Sequence, residues 1–522
     1  MDAERLAMTS DPPAGTGTTD ATTRTGLAIL GAAAALGAGG DALLRVGPPG
    51  ANGAVWLAAL LAALVLLRRR LTPGRAGGEL PWTGVALAFA LALAWRDAIA
   101  VKLLDLGVVA TLMALPFLRL LGERLPRASL SRLAAAAALL GLHAALAAPV
   151  LLAADVRWRE VRRARRAAQL LAATRGVAIA APLLVLFGAM LAAADAVFAH
   201  ILTDVLKIDI RATVSHLALA GCLAWPVAGV LRGALLTGPL AAFSRGLPRL
   251  PRLGAVEVGI VLGLLDLLFL GFVAVQVRYL FGGVHYLTSL PALSYAEYAR
   301  RGFFELVAVA ALAIPLLLAT HWLLRRDGGR GERVYRALAA TMAALLAVVM
   351  ASALRRMLLY TGEYGLSELR VYTLAFMGWL AVVLVWFSLT VLRGRRDRFA
   401  FGALAAGIAV VAALNLCNVD RVIAKVNLAR AAAGRFDAGH AACLSADAIP
   451  TLVAGLDSLD AAARATVVTA LARRWERLRS SDWRTWSASR AAALRALAGG
   501  PAELGEARRG AAGDSSPVSG GR

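Results

Sequence analysis

The residues best suited to bind an anion lie near residue 300, in a string that runs from Ser294 to Arg301. Ser294 and Glu297 have the spacing of a capping box, which predicts that a helix begins at Ser294. Glu297 then lies one turn from Arg300 and Arg301 and can pair with either. A guanidinium group binds phosphate oxygens through two parallel hydrogen bonds. The pattern therefore predicts recognition of a lipid phosphate or an acidic envelope component.

Aromatic residues concentrate in the same region, because seven of the eight tyrosines fall on predicted outer connections or on their rims. An aromatic belt at the membrane interface is one explanation. A binding surface is the other, and the sequence leaves both open. The predicted outer-face site consists of Arg300, Arg301, Glu297, Tyr298, Tyr279, His285, Tyr364 and Arg370.

Ionisable residues inside apolar stretches form a second candidate site. A charged side chain facing lipid costs several kcal/mol, so such residues are expected to face other helices or water. Asp266 lies near the middle of its apolar stretch. This position predicts either an ion or proton site or an internal hydrogen bond. Glu257 is nine residues earlier and falls on the opposite helix face. The predicted intramembrane polar site consists of Asp266, Asp195, Glu257, Lys102 and Asp105, the last two spaced as an i, i+3 pair.

Familiar catalytic patterns are absent from the sequence. There is no HExxH, GxxxxGK[ST], GxSxG or GxGxxG string, and the six histidines and three cysteines lack metal-ligand spacing. We therefore predict no catalytic residues, no metal and no cofactor.

Twelve apolar stretches must position these residues. The hydrophobic fraction is 59% and the charged fraction 17%, against about 25% charged in soluble proteins, which excludes a water-soluble enzyme. A helix of about twenty apolar residues crosses a bilayer. The sequence predicts an all-α, polytopic transmembrane helix bundle of about 11–13 spans, with a small C-terminal helical extramembrane domain. The predicted spans are 26–44, 51–67, 81–94, 98–118, 133–153, 177–199, 214–236, 255–277, 303–324, 334–353, 372–392 and 399–416.

Domain boundaries follow from the composition. We predict a disordered N-terminal tail over 1–24, a multipass domain over 25–417, a helical extracytoplasmic domain over 418–499 and a disordered tail over 500–522. The helical domain is expected to contain an amphipathic helix from Ala461 to Leu478, capped by Asp460.

The net charge of +23 is carried by arginines in short connections, which is typical of cytoplasmic loops and indicates membrane lipids rather than nucleic acid as partners. In the second half, basic and neutral connections alternate, and the alternation predicts that everything after Cys417 is extracytoplasmic. Three basic connections in the first half cannot all be cytoplasmic if each stretch crosses once, so that half stays open.

Several strings resemble one family of bacterial multipass membrane proteins, described as domain of unknown function 4153 or 4173. They include AAADAVFAHIL, LSYAEYARRGFFELVAVA, RMLLYTGEYGLSELRVYTLAFMGWL and NVDRVIAKVNLAR, and the resemblance covers roughly 26–453. It implies a protein of the bacterial plasma (inner) membrane and supplies no activity. One departure is Ala441-Ala442, where such proteins carry a Tyr-Leu pair.

Two classes of function fit these observations. The first is a non-enzymatic module, transporter-like or sensory and scaffolding, which recognises a ligand at its outer face. The second is a membrane-embedded enzyme that acts on a lipid or cell-envelope precursor, with Glu297 or His285 as base and Arg300 or Arg301 holding a phosphate. We favour the first, because the sequence shows no set of acid, base and nucleophile. The enzyme would need those side chains to converge on one cavity.

Overall fold

The computed structural model describes residues 16–71, 80–123, 125–158, 190, 210–237, 252–281, 303–325 and 329–514. Within these ranges the chain is helical, as predicted. The first eleven helices are α1 Thr16–Leu44, α2 Ala51–Leu71, α3 Leu80–Ala92, α4 Ile99–Leu118, α5 Leu130–Val150, α6 Ile210–Leu235, α7 Ala255–Phe281, α8 Phe303–Leu323, α9 Arg330–Tyr364, α10 Glu368–Thr390 and α11 Phe399–Cys417.

None of the remaining described helices is a candidate membrane span. They are α12 Val419–Leu428, α13 Ala438–Cys443, α14 Ile449–Ala454, α15 Ala461–Arg479, α16 Ala488–Ala498 and α17 Ala502–Asp514. Single 3₁₀ turns occur at Arg119–Leu121, Leu125–Arg127, Arg396–Arg398, Ala431–Ala433, Leu456–Ser458 and Trp483–Thr485, and a π turn at Leu151–Asp155.

Ten helices in the described ranges are long and apolar enough to cross a bilayer, which confirms the predicted polytopic all-α bundle. The predicted span 81–94 is the shorter apolar helix Pro81–Ala92. The predicted span 177–199 lies outside the described residues. Helix α9 has 35 residues, or about 52 Å at 1.5 Å per residue, so it extends well beyond a hydrocarbon layer of about 30 Å.

The chain divides into two compact units. The first contains Met1–Arg45, Trp56–Thr83 and Ala137–Gly238. Within it, α1 packs closely on α6, because a Cβ at Gly37 would meet the backbone oxygen of Ala220. Small residues of this kind let two membrane helices approach backbone to backbone.

The second unit contains Val46–Val55, Gly84–Ala136 and Pro239–Arg522. Helices α7 to α11 share an apolar core around Leu262, Leu317, Leu346 and Phe387. Helices α14 to α17 have their own core, which includes Ile449, Val467, Leu471, Leu497 and Leu504. The helices after Cys417 thus group in one compact unit with these spans.

The two predicted disordered tails differ from the structure in part. Helix α17 covers Ala502–Asp514, and its Leu504 is fully buried in the core of α14 to α17. Burial of this leucine contributes to the docking of the Gly-rich and Ala-rich segment. At the other end, α1 begins at Thr16, within the segment 1–24.

Candidate functional site

Most of the predicted outer-face site falls outside the described residues, namely His285, Glu297, Tyr298, Arg300 and Arg301. Tyr279 lies in α7, near its C-terminal end. Tyr364 and Arg370 are described, and they contact each other at the end of α9.

Arg370 completes the C-terminus of α9. Its guanidinium carbon lies 4.2 Å from the ring centroid of Tyr360 and 6.0 Å from that of Tyr364. Its Nη1 donates to the backbone oxygens of Gly365 (2.6 Å) and Tyr364 (3.1 Å). A cation there complements the negative end of the helix dipole and satisfies the last carbonyl groups. These contacts give Arg370 a helix-capping role.

The predicted intramembrane residues occupy separate places. Asp195 lies outside the described residues. Glu257 is exposed in the first turn of α7, where its carboxylate accepts a hydrogen bond from the backbone N–H of Gly254. Asp266 is 7% exposed, and neither of its carboxylate oxygens has a hydrogen-bond partner among the described residues. Asp266 therefore stays a candidate ion or proton site, whereas the Glu257 contacts are those of a helix start.

Lys102 and Asp105 are fully buried on α4, and each has a partner outside this helix. The Lys102 ammonium lies 3.3 Å from the Asp97 carboxylate. Asp105 accepts a hydrogen bond of 2.7 Å from the Asn415 side chain on α11. Lys102 and Asp105, although spaced i, i+3, therefore each pair with a different residue. The spacing did identify the helix face on which a larger polar network is built.

The centre of this network is Asp447, which lies between α13 and α14 and is 5% exposed. One of its oxygens accepts from the backbone N–H groups of Asp97 (2.7 Å) and Ala98 (3.1 Å), immediately before α4. The other lies 2.5 Å from the Ser489 hydroxyl oxygen on α16. A carboxylate from a distant segment thus caps the N-terminus of a membrane span, where the helix dipole favours negative charge.

Arg96 links the same carboxylate to the end of α11. Its Nη1 lies 3.5 Å from Asp447, while its Nε donates to the backbone oxygen of Asn415 at 2.7 Å. The residue is 9% exposed, and its guanidinium stacks on the Trp95 ring at 4.3 Å. Arg96 therefore neutralises buried negative charge and satisfies an orphan carbonyl group of α11.

Asp97 connects the network to α16 through a second ion pair. Its Oδ1 accepts from Arg490 Nε at 2.7 Å and from Lys102 at 3.3 Å. Burial raises the pKa of the Asp97 carboxyl, but the charges and hydrogen bonds of Lys102 and Arg490 outweigh burial and hold that pKa below its usual range. The stabilisation is therefore present above the ordinary aspartate pKa and is lost as the pH falls through the lowered value.

A second layer joins α12 to the turn between α9 and α10. The Asn427 side chain accepts from the backbone N–H of Leu366 and donates to the oxygen of the same residue, both at 2.8 Å. Asp420, also on α12, is fully buried and accepts from the backbone N–H of Ser445 at 2.9 Å. Burial raises the pKa of Asp420 against the effect of the Ser445 hydrogen bonds, so its ionisation costs stability as the pH rises.

Six residues of the network escaped sequence reasoning, namely Arg96, Asp97, Asn415, Asp447, Ser489 and Arg490. Their signal was present but weak. Asp97 lies at the start of a span, and Asp447 lies in the string LSADAIPTL between two short helices. Charged residues at helix ends usually face solvent. The burial of Asp97 and Asp447 depends on the packing of α16 against the loop before α4, which the sequence does not show.

The arrangement of these charges suits a structural role, in which it holds helices together, better than a catalytic role. Each ionised group of the set Arg96, Asp97, Lys102, Asp447 and Arg490 has an oppositely charged protein partner within 4 Å. Among the described residues, no group of three or more His, Cys, Asp or Glu side chains has the geometry of a metal site.

Comparison with known proteins gave one result. The family model described as "Domain of unknown function (DUF4153)" matches residues 83–455. The matched range runs from α3 to just past the end of α14, so it includes Asp97 and Asp447 and ends before α15. No curated protein and no solved structure matches the chain.

Proposed function

We propose that this chain, which belongs to the family described as Domain of unknown function (DUF4153), is a non-enzymatic membrane module, transporter-like or sensory and scaffolding, with a recognition surface on its outer face. The observation that carries the proposal is the network of Asp97, Asp447 and Arg490, which ties the helices after Cys417 to the loop before α4. A ligand bound by those helices would act directly on the start of a membrane span. Asp266, buried without a partner among the described residues, supports the transporter-like form of the proposal.

We further propose that the protein lies in the bacterial plasma membrane with its C-terminal helices extracytoplasmic. The alternation of basic and neutral connections supports this orientation. Because α17 packs into the core of α14 to α17, a reporter should follow Arg522 rather than interrupt this core. Alkaline phosphatase fused there should be active, and green fluorescent protein exported through the general secretion route should be dark. The opposite pair of results would reverse the orientation.

The experiment on function compares lipids with and without the protein. The encoding gene is deleted, and envelope lipids and precursors are analysed in the deletion strain and in the complemented strain. The lipid extract of the deletion strain is then incubated with the purified protein in nanodiscs. We expect no lipid to be converted. A species that is missing in the deletion strain and reappears in the nanodisc incubation would contradict the proposal and identify an enzyme of lipid or envelope-precursor metabolism.

A further inference from the structure

Two adjoining cavities lie against α15 in the C-terminal helices, and arginine is their dominant lining residue. One has a volume of about 270 Å³ and the other about 380 Å³. Arg474 and Arg477 line both. Arg490 and Asp97 also line the first, and Arg473 lines the second.

Three arginines of α15 differ from Arg464 on the same helix, which pairs with Asp457 and Glu503. Among the described residues, no carboxylate forms an ion pair with Arg473, Arg474 or Arg477, although ion pairs are frequent elsewhere in these helices. Arg474 donates to the backbone oxygen of Leu444. Burial lowers the pKa of Arg474 and the neighbouring charge of Arg477 lowers it further, whereas Cys443, Asp97 and Asp420 act in the opposite direction. Arg474 and Arg477 are spaced i, i+3, so the two like charges are neighbours on the helix surface and destabilise each other.

One carboxylate, that of Asp97, lines the first cavity. Asp97 is already held by Lys102 and Arg490 through the same oxygen. Its single negative charge is therefore shared between these two cations and Arg474, whose pKa it raises. The charges of Arg474 and Arg477 remain as a positive surplus beside the cavity.

The first cavity lies beside the start of a candidate membrane span, because Asp97 lines it. Asp97 lies two residues before the candidate span Ile99–Leu121. Three tryptophans in the adjoining segments are exposed: Trp95 by 40%, Trp483 by 68% and Trp486 by 49%. The backbone oxygen of Trp486 also accepts from the N–H of Ala51, the first residue of α2. Tryptophan concentrates at the headgroup level of a bilayer.

We infer that the cavity lined by Arg474, Arg477 and Arg490 binds a phosphate group. Several guanidinium groups around one space match the several oxygens of a phosphate better than the two of a carboxylate. Either a lipid headgroup or a soluble phosphate could supply this group, since the chemistry is the same. The site gives the proposed recognition function a ligand class and a location, and so rests on that function.

The test uses the full-length protein and Arg477, which is exposed and lines both cavities. Binding of inorganic phosphate is measured by calorimetry in detergent. In parallel, thermal unfolding is measured in nanodiscs of phosphatidylcholine, with and without phosphatidylglycerol. Arg477→Gln should weaken binding by about tenfold or more, since it removes a charge-assisted contact. Arg479→Gln is the matched control, because Arg479 is exposed in the same last turn of α15 and lines neither cavity.

The outcomes separate the two sources. Phosphate binding in detergent that needs Arg477 identifies a soluble phosphate. Stabilisation by phosphatidylglycerol alone, lost in Arg477→Gln and kept in Arg479→Gln, identifies a headgroup. If neither probe binds, or if both variants lose binding equally, the site does not exist. Phosphate binding and lipid conversion are measured in separate experiments. A failure to bind phosphate would therefore reject this site alone, whereas lipid conversion would reject the proposed non-enzymatic function.

Discussion

Asp447→Ala is expected to lower the free energy of unfolding by about 3–5 kcal/mol, the usual cost of removing one partner from a buried ionic cluster. Asp447 accepts from two backbone N–H groups at the start of α4 and contacts Ser489 and Arg96. Alanine removes the acceptor of the two backbone N–H groups, whereas Ser489 and Arg96 keep the backbone oxygens of Trp95 and Asn415. The measurement is unfolding of the purified protein in mixed micelles titrated with sodium dodecyl sulfate.

Asp457→Ala is the control for this prediction. Its side chain is 86% exposed and pairs with Arg464 at 3.1 Å, so its loss should cost less than about 1 kcal/mol. Equal effects of the two variants would mean that Asp447 is not a central contact of the network.

Gly365→Ala is expected to cost about 2–4 kcal/mol, from backbone strain and lost hydrogen bonds together. Gly365 has φ +75° and ψ −169°, a region that is essentially restricted to glycine. A Cβ would also lie 2.5 Å from the Asn427 side-chain oxygen. Alanine must therefore displace the amide that holds Leu366 by two hydrogen bonds. The same unfolding titration measures the effect.

Gly434→Ala is the control for a positive φ without a steric contact. Gly434 also has a positive φ, of 67°, but a Cβ there would meet nothing within 4 Å. Only the backbone strain of about 1–2 kcal/mol is expected. If Gly365→Ala costs no more than Gly434→Ala, the Asn427 contact contributes nothing to the docking of α12.

The spans were predictable because apolar length is a property of local sequence. The ends of the spans were less predictable. Helix α9 continues to Tyr364, whereas its apolar stretch ends near Ala353. Its last turns are polar, and they are held by Arg370 and by Arg430, which donates to the backbone oxygens of Thr361 and Gly362. Such capping by distant residues leaves little trace in hydrophobic periodicity.

The candidate site was predictable only in part. Lys102 and Asp105 were identified because charge inside an apolar stretch demands a partner. Asp447 and Arg490 were not, because their burial depends on the packing of α14 and α16 against the loop before α4. For the predicted site around Arg300 and Arg301, which lies outside the described residues, anion binding stays a prediction. The arginines of α15 escaped notice because an arginine-rich amphipathic helix usually presents them to solvent.

The central claim is that a buried ionic network couples the helices after Cys417 to the membrane spans, and the Asp97–Arg490 pair tests it most directly. A double-mutant cycle with Asp97→Asn and Arg490→Gln is measured by the free energy of unfolding in mixed micelles. The network predicts that the double variant loses at least about 1 kcal/mol less than the sum of the single losses. Losses that add within about 0.5 kcal/mol would contradict the claim, since they would show that the two residues stabilise the protein independently.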